Sequence, residues 1–277
     1  MPPPNGGTSV TSSFGPELHE GQQRLYREVL ELLGKYHVPF AVSGAFAFQY
    51  HTGIWRATKD LDICVTPETA NRALDLLENE GFLCEVCDSV WLAKAHRDGF
   101  FVDFITGMSN AALNVSESWI VRAKDARILG VPTLILGAEE LLASKLFIAR
   151  RERFDGSDIA HIIYASRGNL DWNRVLDLAG HHWEVLLWAL VLFRYIYPAQ
   201  GLYVPLLVWA ELVNGLMLRL FDRDPAARFR GSLVDENMFA IDVNEWGLDD
   251  LFSEYRACRV KKIEWQSRRN PPNRIVA

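Results

Sequence analysis

Apolar positions recur along this chain with two periods, and the change from one to the other divides it. Residues 17–33 carry Leu25, Val29, Leu30 and Leu33 at three- and four-residue spacing, which predicts an amphipathic helix stopped by Gly34. Short apolar runs at 38–42 and 61–65 predict strands, with an apolar helix at 44–50 between them. A second amphipathic helix is predicted over 67–80, with Pro67 in its first turn and Gly81 past its end. Residues 82–87 and 90–96 read as a hairpin. The run 100–106 reads as a buried strand interrupted by one charge, Asp103. Two more strands, 126–129 and 133–136, flank a Gly130-Val131-Pro132 turn. From residue 139 onward only helical patterns remain: 139–151, 157–166, 171–179, 182–197 and 204–221. Strands with interspersed helices, then helices alone, predict an α+β fold. A small mixed sheet is expected within 17–137 and a helical domain over 138–255. A Pro/Gly/Ser/Thr-rich disordered tail is expected over 1–16 and a basic tail over 256–277.

Composition changes this picture little. The 277 residues are 49% hydrophobic with a net charge of −6, an ordinary globular balance. Mild acidity argues against wholesale coating of nucleic acid but leaves room for a locally basic groove. The first residues show neither a positive nor an apolar segment, so they do not read as a signal peptide. The apolar runs 185–193 and 202–221 fall short of the roughly 20 clean residues of a membrane span, the second being interrupted by Pro205, Glu211, Asn214 and Arg219. A soluble, cytoplasmic protein is expected. Cys84-Glu85-Val86-Cys87 has zinc-knuckle spacing, but no second pair follows and the run is strand-like. With no secretory signal a disulfide framework is not expected, and buried or half-buried strand cysteines are expected instead.

The chemistry concentrates in AVSGAFAFQYHTGIWRATKDLDICV, residues 41–65. On a strand, Asp60 and Asp62 share a face about 6.6 Å apart, while Leu61 and Ile63 point to the core. Two such carboxylates repel each other and resist burial, and a divalent cation relieves both problems. Hard oxygen ligands favour Mg²⁺ or Mn²⁺. Asp103 lies between Val102 and Phe104. If its strand lies beside that of Asp60 and Asp62, three carboxylates converge and could hold two ions about 4 Å apart. Otherwise it is a buried aspartate paired with an arginine such as Arg56 or Arg97. Ser43 and Gly44 open a helix N-terminus, an anion site suited to the phosphates of a nucleotide; a strand–helix turn that needs a small residue is the other reading.

This combination of strand, small-residue turn, helix and Asp-x-Asp resembles the DNA polymerase β-like nucleotidyltransferase superfamily. The wording Arg56-Ala57-Thr58-Lys59-Asp60-Leu61-Asp62 looks most like its abortive-infection (AbiEii-like) toxin branch and tRNA-modifying relatives. The resemblance implies a Mg²⁺-dependent enzyme that uses a nucleoside triphosphate. Asp60, Asp62 and Asp103 would be metal ligands, and Asp103 would also act on the acceptor hydroxyl. Ser43, Gly44, Arg56 and Thr58 would border the nucleotide. Lys145 would contact phosphate, and Asp158, in preference to Asp155, would complete the site downstream of Arg153. The implied acceptor is an RNA or tRNA end, a protein side chain or a small molecule such as an aminoglycoside. A toxin-like role would add a cognate antitoxin. Two departures stand out: Ser43 replaces a usual first glycine and His161 a usual second aspartate. They support an alternative, a catalytically inactive binding or regulatory module of the same fold.

Elsewhere the signals are blander. The pair His181-His182 suggests no metal triad. Trp183, Trp188, Phe193, Tyr195, Tyr197 and Trp209 read as helical-bundle core. Arg259, Lys261, Lys262, Arg268, Arg269 and Arg274 suit either an RNA backbone or a solvated tail.

Overall fold

The computed structural model describes residues 18–221 and 227–267. The tail expected over 1–16, together with Arg268, Arg269 and Arg274, lies outside the described residues. Helix α1 (Glu20–Lys35) buries Leu25, Tyr26, Val29, Leu30 and Leu33, the apolar stripe seen in the sequence. Gly34 does not stop it. The helix runs one residue further, and the chain reverses at His37, which takes the left-handed conformation at φ 50°.

Seven strands follow with helices between them: β1 (Ala41–Val42), α2 (Gly44–Thr52), β2 (Asp62–Cys64), α3 (Pro67–Asn79), β3 (Leu83–Asp88), β4 (Leu92–Arg97), β5 (Phe100–Ile105), α4 (Glu117–Val121), β6 (Lys124–Ile128) and β7 (Val131–Ile135). They form one mixed sheet in the order β3-β4-β5-β2-β1-β7-β6. β2 runs parallel to β5 and antiparallel to β1. The last hairpin turns at Leu129 and Gly130, both at positive φ, so Val131 and Pro132 belong to β7 and not to the turn.

Past β7 every named element among the described residues is helical, as the switch in periodicity predicts. These are α5 (Ala138–Lys145), α6 (Gly156–Ser166), α7 (Trp172–Ala179), α8 (Trp183–Ile196), α9 (Leu206–Arg219), α10 (Gly231–Val234), α11 (Ala240–Asn244) and α12 (Leu251–Cys258). The fold is therefore mixed α and β, sheet first and helices after.

Four features differ from expectation. The helix predicted to reach residue 151 ends at Lys145. The chain then closes a tight loop, with Ala149 bridged to Phe154 and Asp155 N–H donating to Ile148 O at 2.8 Å. Phe193 is buried, but Trp188 and Tyr195 are 46% and 84% exposed and so are not bundle core. The helical run 172–196 has the length and apolarity of a membrane span, contrary to the reading of its central apolar stretch alone. Gly180 breaks it, and Leu186, Leu187, Ala189, Leu190 and Phe193 are buried within the protein. Finally, the basic stretch is docked over its described part: Arg256 pairs with Asp88, Lys261 with Glu68, and Trp265 Nε1 donates to Asp75 at 3.1 Å.

Candidate active site

Strand β2 begins at Asp62, so Asp60 precedes the strand and does not lie on it. Its placement comes instead from local hydrogen bonds. Thr58 Oγ1 donates to Asp60 Oδ1 at 2.7 Å and to Asp60 O at 3.1 Å. The Thr58 carbonyl in turn accepts from the buried Gln22 of α1 at 3.2 Å, and Gln22 also donates to Tyr26 Oη at 2.9 Å. The loop is thus tied to the first helix.

Asp62 sits directly opposite Asp103 in the parallel β2–β5 pair, so the strand adjacency anticipated from sequence is present. Carboxylate oxygens of Asp60, Asp62 and Asp103 all lie within 4.8 Å of one another. Burial, then the charges of Asp60 and Asp103, push the Asp62 carboxyl up to about 7, against opposing help from Arg153 and Lys145. Burial likewise raises Asp103, against the hydrogen bond from Lys94. Gathering this much negative charge is costly, and a bound proton or a cation would relieve it. An all-oxygen set of three carboxylates fits Mg²⁺ or Mn²⁺ by donor chemistry.

The turn before α2 faces this triad. Gly44 opens the helix at φ 57°, and a Cβ there would stand 1.7 Å from Asp62 Oδ2. Glycine is required on both counts. Ser43, at φ −120° and ψ −152°, is in ordinary extended backbone, so serine in place of glycine leaves the turn intact. Ser43 also hydrogen-bonds the Cys64 thiol, which burial pushes up to about 12. Gly44 and Ala45 line a cleft of about 640 Å³ with Arg56, Thr58, Lys59, the three aspartates and Lys145.

The far wall is a buried charge network. Lys145 Nζ donates to Asp155 Oδ2 at 2.8 Å and to Asp158 Oδ2 at 2.6 Å, and all three side chains are at most 8% exposed. Arg153 forks onto both oxygens of Asp155 at 3.0 Å. Burial alone would raise Asp155, but the Arg153 and Lys145 bonds outweigh it and hold the carboxyl below its usual range. Arg56 packs over the Phe48 ring and pairs with Asp158. Lys145, Asp158 and Arg56 do come together at the cleft, but each is engaged with another. Asp155 shares Lys145 with Asp158. His161, on α6, lies near the Phe48 ring, and its Nδ1 has no hydrogen-bond partner among the described residues.

Sequence reasoning missed two contributors. Lys94 of β4, not Arg56 or Arg97, is the partner of Asp103, at 2.6 Å; Arg97 pairs with Glu28. Gln22 was hidden as a polar position in an amphipathic helix. Cys64 and Cys84 are buried on strands as expected, but Cys87 is exposed, because residues three apart on β3 face opposite ways, and Cys258 is exposed at the end of α12.

No protein-family model matches this chain, and no curated protein matches it. Among solved structures, it is similar to the antibiotic-resistance factor ANT(2'')-Ia in solution, with 17% identity over 66% of this chain and 96% of that one, at TM-score 0.42. An antigenic nucleotidyltransferase-like protein from Paracoccidioides brasiliensis aligns at 16% identity over 68% and 95%, also at TM-score 0.42. The lincomycin-bound lincosamide antibiotic adenylyltransferase LnuA aligns at 16% identity over 53% and 97%, at TM-score 0.37. At these scores the likenesses transfer neither fold nor activity to this chain.

Proposed function

We propose that this chain is a nucleotidyltransferase, moving a nucleoside monophosphate from a nucleoside triphosphate to an acceptor hydroxyl and releasing pyrophosphate. One observation carries the reading: three carboxylates gathered within 4.8 Å, with one of them, Asp62, packed against the glycine that opens a helix N-terminus. Three carboxylates this close repel one another, a divalent cation relieves that repulsion, and the helix N-terminus beside them suits a phosphate bound to the same cation.

Asp60 and Asp62 would hold the divalent ion, Mg²⁺ or Mn²⁺, with Asp103 completing the set. When bound, that ion supplies positive charge against the phosphate oxygens. The amides of Gly44 and Ala45 take a phosphate oxygen of the triphosphate. Asp103 orients the acceptor hydroxyl and accepts its proton as the new P–O bond forms and the bond to pyrophosphate breaks. Thr58 positions Asp60. Lys145 holds Asp155 and Asp158 together, and these in turn hold Arg153 and Arg56 at the rim, where guanidinium groups meet phosphate charge. Catalysis then comes from positioning and fixed charge, without a covalent enzyme intermediate. The acceptor class remains a hydroxyl of an RNA end, a protein side chain or a small molecule.

A second reading, a non-catalytic nucleotide-binding module, draws on the ammonium of Lys94 already seated on Asp103. Calorimetric titration of each nucleoside triphosphate with Mg²⁺, on wild type and on Asp60→Ala/Asp62→Ala, tests the site. Metal-dependent binding lost in the double variant supports it, and absence of binding at millimolar nucleotide sinks it. Pyrophosphate release separates enzyme from module.

A further inference from the structure

Asp62, Asp103 and Lys94 stand in one row across the sheet. Asp62 pairs with Asp103 between β2 and β5, and Asp103 pairs with Lys94 between β5 and β4. Lys94 Nζ donates to Asp103 Oδ1 at 2.6 Å and lies 4.0 Å from the centroid of the Phe101 ring. The two side chains are only 20% and 11% exposed. This is not a solvated surface pair held by two flexible stems. Backbone register sets the partners opposite each other, and Phe101, on the same face as Asp103, covers the ammonium.

The consequence is electrostatic. Three carboxylates are neutralised by one divalent ion together with one ammonium. A second divalent ion would meet a resident positive charge and a carboxylate with one oxygen already committed. We infer that Lys94 is a resident counter-cation that limits the acidic site to a single divalent ion. The inference rests on the metal-dependent reading proposed above. Lys94 acts through Asp103, as a positioning residue, and keeps that carboxylate oriented toward the cleft with or without substrate.

The test counts ions and does not depend on turnover. Mn²⁺ is titrated into the full chain, with a non-hydrolysable nucleoside triphosphate analogue present, and bound ion is read by electron paramagnetic resonance. Wild type is expected to saturate at one Mn²⁺ per chain. Lys94→Met keeps the apolar stem on Phe101 and removes the charge. A neighbouring charge shifts an ionic equilibrium by about 1–3 log units, so affinity for a second ion should rise roughly 10- to 1000-fold. Lys94→Arg should stay at one ion, and Lys94→Gln replaces the methionine variant if that one does not fold. Two ions of comparable affinity in wild type, or one ion in the charge-removed variant, overturn the inference and leave the transferase reading standing. No ion in wild type overturns both.

Discussion

Adding a single methyl group at Gly44 separates the two demands made on that position. In Gly44→Ala the new Cβ would lie 1.7 Å from Asp62 Oδ2, 2.7 Å from its Cγ and 3.1 Å from its Cβ. Turning the carboxylate about its own bond does not clear the Cγ contact, so Asp62 must change its χ1 rotamer and leave the triad. The left-handed backbone, at φ 57°, costs about 1–2 kcal/mol once a Cβ is present. Forcing the neighbouring side chain aside adds about 1–3 kcal/mol. Gly53 provides the control. It has φ 74° with nothing within 4 Å of a would-be Cβ, so Gly53→Ala carries the backbone cost alone. Urea unfolding in the presence of a chelator should show Gly44→Ala destabilised by about 2–5 kcal/mol and Gly53→Ala by about 1–2 kcal/mol. Calorimetry should show Mg²⁺-dependent nucleotide binding lost only in the first. Equal stability losses with binding retained in both would refute the claim that Asp62 and Gly44 are fitted to each other.

Two further variants probe buried charge. Lys145→Met leaves Asp155 and Asp158 with only their arginine partners in a site at most 8% exposed, and should cost about 3–5 kcal/mol in urea unfolding; a loss under about 1 kcal/mol would show that the arginines suffice. His182 is 6% exposed beside Phe147 and Tyr255, and burial, then Arg230 and Arg259, lower it to about 4. The native state therefore binds fewer protons than the unfolded chain between its folded and unfolded values. This contribution to stability is complete above the unfolded value and lost as pH falls. From about pH 7 to pH 5 it should remove about 2 kcal/mol, and His182→Leu should flatten that part of the profile. An unchanged slope in the variant would place the titration elsewhere.

Much of the site was readable before any coordinates because its chemistry contradicts its surroundings. Carboxylates at 60, 62 and 103 among leucine, isoleucine, valine and phenylalanine need a reason, and strand patterning put two of them in the right strands. Asp60 was placed on β2 because an alternating rule cannot see where a ladder starts; Thr58 and Gln22 set that position through hydrogen bonds to backbone and side chain. Lys94 escaped notice for a related reason. In β4 it alternates with the buried Ala93 and Ala95, which by itself describes a solvent-facing lysine. Only the register with β5 turns it into the partner of Asp103. The end of α5 at Lys145 was equally invisible, because Leu146 and Phe147 continue the apolar pattern while the backbone has already left the helix. Exposure of Trp188 and Tyr195 shows the converse: aromatic composition says nothing about which side of a helix finds a neighbour.

The pairing of Asp62 with Asp103 also bears on how the molecule comes apart. Parallel neighbours cannot be joined by a hairpin, and here α3, β3 and β4 intervene between the two strands. The three-carboxylate cluster therefore exists only after a sequence-distant closure, the kind of contact whose entropy is costly and which sets slow folding rates. A ligand confined to that closed arrangement stabilises the native state alone. Its effect falls on the escape rate from the native state and not on the rate of reaching it, to the extent that the β2–β5 seam closes after the barrier. The same ion proposed for phosphate chemistry would then act as a clasp on the central strands, prolonging the lifetime of the fold while nucleotide metal is abundant.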